Sequence, residues 1–82
     1  MNDEHDFYAW IVGEIGYTDK SSRDIVCHLK RVNKYIKVDK RLSSDALEKK
    51  LEDQPEFKAM SISVKCQLRR AIRFYIQFVN SE

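Results

Sequence analysis

Proline occurs once in this chain, at Pro55, and glycine only twice, at Gly13 and Gly16. So few chain-breakers argue against a fold made of many tight turns and suit long helices with short connections. A glycine-rich phosphate loop is excluded for the same reason. No run of about 18 apolar residues exists, so no transmembrane span is expected. The opening residues MNDEHDFYAW are acidic and do not form a secretory leader.

Cysteine is also scarce. Cys27 and Cys66 stand far apart in the chain. A secreted domain of this size usually carries a disulfide framework, so both thiols are expected to be reduced, to act as small apolar residues, and to indicate a cytoplasmic protein. There is no C-x-x-C, and His5 and His28 are 23 residues apart, so no metal site is expected. Catalytic sets are missing as well. Cys27 and His28 are neighbours in sequence, which on a helix turns them about 100° apart. Ser21 and Ser22 are better explained as helix caps than as nucleophiles. The expectation is a protein that is not an enzyme and needs no cofactor.

What the chain does have is helical periodicity. Its 82 residues are 43% apolar and 11% aromatic, enough for one folded domain over residues 1–82. Phe7, Trp10, Ile11 and Ile15 form an apolar stripe that predicts a helix over 4–15, capped by Asn2 or Asp3 and stopped at Gly16. Ile25, Leu29, Val32 and Ile36 step by 4, 3, 4 and predict a second helix, capped by Ser21 or Ser22 and ending near Lys37. Ser43 to Asp45 can cap a third, with Ala46, Leu47 and Leu51 inward and Lys49 and Lys50 outward. Pro55 ends that helix and opens a short turn burying Phe57 and Met60. A last helix begins near Ser61 or Ser63, with Val64, Leu68, Ala71, Tyr75 and Phe78 on its seam. No segment reads as a strand. The fold class is therefore all-α, a small orthogonal bundle of four main helices plus a short helical turn near Pro55.

Charge is unevenly distributed. Residues 1–19 hold five acids and no Lys or Arg, whereas residues 20–42 hold eight basic residues and two acids. No acid lies between Ile25 and Val38. Arg23, Lys30, Lys34 and Lys37 share one helical face, flanked by Arg31 and Lys20. On the last helix, Lys65, Arg69 and Arg73 repeat every four residues, with Arg70 beside them. Such faces favour phosphate through charge and counterion release. The plainer alternative is the solvated outer face that every amphipathic helix presents. Most aromatics at helical spacing belong to a core. Tyr8, Tyr17 and Phe74 fall off the seams and are the candidates for a contact surface.

Two stretches carry a resemblance. GYTDKSSRDIVCHLKRVNKYI looks like the start of the N-terminal core-binding domain, a SAM-like helical fold, of tyrosine recombinases and phage integrases. SISVKCQLRRAIRFYIQFV is similar to the last helix of that domain, in the segment Leu68 to Tyr75. Together they cover about half of the chain. The resemblance implies a four-helix bundle that grips double-stranded DNA as half of a clamp. The catalytic arginines, histidines and tyrosine of that family have no counterpart here, so it implies gripping without strand cleavage. The expected function is DNA binding through phosphate by Arg23, Lys30, Arg31, Lys34, Lys37, Lys65, Arg69, Arg70 and Arg73. The alternative is a protein-interaction module, an adaptor or inhibitor of the kind phages and mobile elements encode. It would use the apolar excess of the last helix, possible as a homodimer contact, or the acidic first helix.

Overall fold

Glu4 and Asp6 place negative charge at the positive end of the first helix, α1 (Glu4–Trp10), where it opposes the helix dipole. This is a computed structural model, and it describes residues 4–81; the expected caps Asn2 and Asp3 lie outside the described residues. α1 runs directly into a π-helical turn (Ile11–Ile15). There the backbone widens, so that the Gly16 N–H reaches back to the Ile11 carbonyl at 3.0 Å and the Tyr17 N–H approaches the same oxygen at 3.4 Å. Gly16 ends the segment with φ of 82°, a left-handed conformation that glycine adopts without a Cβ penalty. The predicted helix over 4–15 is thus present, with its last five residues in the wider form.

The second helix, α2 (Asp19–Tyr35), starts earlier than the predicted caps. Thr18 caps it, its hydroxyl accepting from the Ser21 N–H at 3.2 Å. Ser21 and Ser22 lie inside the first turn, and Ser22 is buried with its hydroxyl donating to the Thr18 carbonyl at 2.8 Å. The seam Ile25, Leu29 and Val32 is buried as expected, with Val26 beside it. Ile36 is extended, so Lys37 stands beyond the helix and not on its stripe. Asn33 accepts from the Val38 N–H at 3.3 Å and ties down the departing chain.

Ser43 caps α3 (Ser44–Glu52) through the Ala46 N–H, and Ser61 caps α5 (Ile62–Asn80) through the Val64 N–H. Between them, Gln54 is extended before proline and Pro55 opens the short α4 (Pro55–Lys58), which buries Phe57. The described residues contain no strand. The fold is all-α, with four main helices and the short turn at Pro55.

The most extensive packing is between α2 and α5, and α3 and α1 also lie on α5. Leu68, Ala71 and Ile72 of α5 are fully buried against this surround, together with Leu29, Leu47 and Leu51. Sealing one such leucine or isoleucine from water contributes about 1.5–3 kcal/mol. Aromatic rings close the α1 end: Phe7 meets Tyr75 edge-on at 5.3 Å, and Trp10 and Phe78 are 5.8 Å apart.

Candidate functional site

The nine basic residues singled out above differ in their partners. The structure sorts them by what lies opposite.

Three cations of α5 meet partners on α3 and α4. Arg73 forms a two-pronged contact with Glu48, Nη2 to Oε1 at 3.1 Å and Nε to Oε2 at 3.4 Å. One turn earlier Arg69 pairs with Glu52, and it also lies 5.6 Å from the centre of the Phe57 ring. One turn earlier again, Lys65 sits 5.7 Å from the same ring. Going down α5 by four residues corresponds to going up α3 by four, so the helices meet as an antiparallel ladder. The i, i+4 spacing that suggested a phosphate track is the spacing needed to match Glu48 and Glu52. Glu48 is buried and its partner guanidinium is what balances that charge. Arg69 Nε is sealed without a hydrogen-bond partner.

Two cations of α2 are also engaged. Arg23 pairs with Asp19 one turn before it at 3.2 Å, both side chains being largely exposed. Lys30 Nζ lies 2.7 Å from Glu4, which fastens α1 to α2. That carboxylate holds the Lys30 ammonium above its usual pKa. Similarly, Tyr8 donates its hydroxyl to Asp19, which pushes the phenol up.

Arg31, Lys34, Lys37 and Arg70 remain. All are exposed, and no carboxylate among the described residues pairs with any of them. Asp39 sits near Lys37, but its carboxyl is occupied by the Arg41 backbone N–H at 2.9 Å and the Arg41 side chain, which together hold it below the usual carboxylate range. Burial holds the His28 imidazole below its usual pKa, and Arg70 and Arg31, from different helices, add to that lowering. Asp24 opposes them. Cys27 and Cys66 are unpaired, as expected, but both are exposed and do not fill the core.

The aromatic candidates for a contact surface turn inward. Tyr17 and Phe74 pack edge-on against each other at 5.7 Å, and Phe78 is buried. Among the described residues, the exposed large apolar side chains are Val12 and Ile62. Glu48 and Glu52, the partners of Arg73 and Arg69, were not singled out in the sequence, and His28 was weighed there only for metal binding and catalysis. His28 has a readable signal, since Asp24 and Arg31 lie one turn away on its own helix face. Among the described residues no cluster of His, Cys, Asp and Glu could hold a metal ion, and no helix is long and apolar enough to cross a membrane. Comparison with protein-family models, curated proteins and solved structures finds no match.

Proposed function

We propose that this helical domain binds double-stranded DNA through the phosphate backbone, using Arg31, Lys34 and Lys37 from the α2 side and Arg70 from α5. The observation that carries the reading is that all four are exposed and that none is paired with a carboxylate among the described residues. Cations without internal partners are free to exchange water and counterions for phosphate. The pairs at Arg23 and Lys30 are solvent-exposed and hold loosely, so these two cations can exchange their carboxylates for phosphate. Arg69, Arg73 and Lys65 belong to the scaffold. Positioning by phosphate contacts does not need base readout, so little sequence preference is expected. The competing reading, a protein partner or homodimer on the apolar face of α5, is less favoured because Phe78 and Phe74 are covered from within the chain.

The number of phosphate contacts is measurable. Four cations at roughly 0.9 each give a slope near −3.6 for log affinity against log salt, whereas all nine would give about −8. The experiment is anisotropy titration of a labelled duplex between about 50 and 200 mM salt. Replacing Arg31 and Lys34 by Gln should reduce the slope by about two units and leave the helical content unchanged. Replacing Lys49 and Lys50 on α3 should alter it little. Absence of binding at about 100 μM protein and 50 mM salt, the weak end of non-specific affinity, overturns the reading.

A further inference from the structure

Two cations of α2 are already neutralised, and α1 takes part in both cases. Lys30 Nζ lies 2.7 Å from the Glu4 carboxylate, across the contact between α1 and α2. One turn further along α1, Tyr8 donates its hydroxyl to Oδ1 of Asp19, and Oδ2 of Asp19 meets Arg23 at 3.2 Å. Beyond Lys30 on α2 come Arg31 and, one turn on, Lys34, neither paired with a carboxylate among the described residues. The proposed phosphate track therefore stops where the acidic end of α1 begins. Phe7 and Ile11 are fully buried, so Glu4 is delivered to Lys30 by an anchored segment. The pair itself is open to water, with the Lys30 and Glu4 side chains 49% and 39% exposed. Phosphate can displace the carboxylate without undocking α1.

We infer that Glu4 is an internal competitor of the DNA backbone: its carboxylate holds Lys30 back from phosphate, and its removal admits Lys30 as a further ligand of the α2 track. This rests on the DNA reading above and adds to it a binding residue and the contact that restrains it. An ion pair exposed at both ends is worth about two- to five-fold in an equilibrium, and that is the scale of the competition. The restraint also has a signature in salt. When Lys30 leaves Glu4 for a phosphate, the DNA releases a counterion but the stranded carboxylate takes one up. The two nearly cancel, so the wild-type slope does not register the contact. Without the carboxylate, the release is counted in full.

The test is titration of the labelled duplex with a set of variants at about 100 mM salt and across the salt series. Glu4→Gln should bind about two- to five-fold tighter than wild type and steepen the slope by about 0.9. Asp6→Asn removes the same charge from α1 at an exposed position outside the ion pairs of the described residues. Screening limits its effect, and it should stay within about 1.5-fold of wild type. In a Lys30→Gln background, Glu4→Gln should bring no more gain than Asp6→Asn does. A gain from Asp6→Asn equal to that from Glu4→Gln, no gain from Glu4→Gln, or a gain that persists without Lys30 overturns this inference and leaves DNA binding standing. No binding by wild type or any variant overturns both. Should Glu4→Gln lose helical content, nuclear magnetic resonance of the wild-type side-chain carboxyls decides: the Glu4 signal must move when duplex is added, and the Asp6 signal must move less.

Discussion

Changing Arg73 to Met keeps the length and helix preference of the side chain and removes only the guanidinium. The carboxylate left behind, on Glu48, has a side chain just 9% exposed, whereas Arg73 is 65% exposed. An ion pair in water contributes about 0.2–1 kcal/mol, and breaking one that is buried at both ends costs about 3–5 kcal/mol. This pair is sealed at one end only. Water can reach the site once the guanidinium has gone, so the loss should lie between these limits, at about 1–2 kcal/mol. For a domain of this size that is a fall in Tm of about 5–15 °C. Arg23→Met breaks a pair that is open to solvent at both ends, with side chains 72% and 59% exposed, and should cost under about 0.5 kcal/mol. Replacing Glu48 and Arg73 together by Met removes the orphaned charge and should recover most of the stability. Circular dichroism melts at neutral pH are sufficient. Two results refute the reasoning: Arg73→Met melting within about 2 °C of wild type, or a double variant no more stable than Arg73→Met. The same variant should leave the salt slope of DNA binding unchanged, which separates a scaffold cation from a ligand cation.

Leu29→Ala and Leu68→Ala each open a cavity in the fully buried α2–α5 contact and should cost about 2–5 kcal/mol; a Tm change under about 3 °C would show the residue to be peripheral. Gly16→Ala forces a Cβ into left-handed geometry and should destabilise by about 1 kcal/mol, whereas Gly13→Ala meets nothing within 4 Å and should stabilise by up to about 1 kcal/mol. Equal melting of the two glycine variants would contradict that. His28 has a folded-state pKa below its unfolded value, so the unfolded chain binds the proton more readily; its contribution to stability is complete above about pH 6.5 and is lost as pH falls through the folded value. Melts from pH 7.5 down to 5 should show a steeper decline in wild type than in His28→Gln. Reductant should leave the Tm unchanged, since Cys27 and Cys66 are unpaired.

Helix periodicity made the architecture legible. The seams ending in Ile15, Ile36 and Phe78 each mark a real helix, although Ile36 itself falls just past the end of α2, and Gly16 and Pro55 act as the stops their chemistry suggests. The start of α2 was not legible in the same way. Thr18, Ser21 and Ser22 are all good caps, and a buried serine on the core face continues the seam without declaring itself. The π turn left no mark, because a backbone widening by one hydrogen-bond step alters no residue type. The candidate site was less readable still. Periodicity tells which cations share a face of one helix, but not which acids approach from another. Glu4 and Lys30 are 26 residues apart, and Glu48 and Arg73 are 25 apart. Only packing reveals that a stripe resembling a phosphate track is largely a ladder to α3.

The central place of α5 has a consequence for synthesis. It is the element on which α1, α2 and α3 rest, yet it follows all of them along the chain. At about 5–20 residues per second, roughly 2–9 s pass between completion of α2 at residue 35 and completion of α5 at residue 80. Throughout that interval Ile25, Leu29 and Val32 lack the cover that α5 gives them. Helix formation itself takes about a microsecond, so α2 can form and dissolve many times while it waits. The nascent chain therefore presents an amphipathic helix with one basic edge and one greasy edge before any bundle exists. A variant that weakens α5 would lengthen this exposure, and its first sign would be aggregation during expression before any shift in the melting curve.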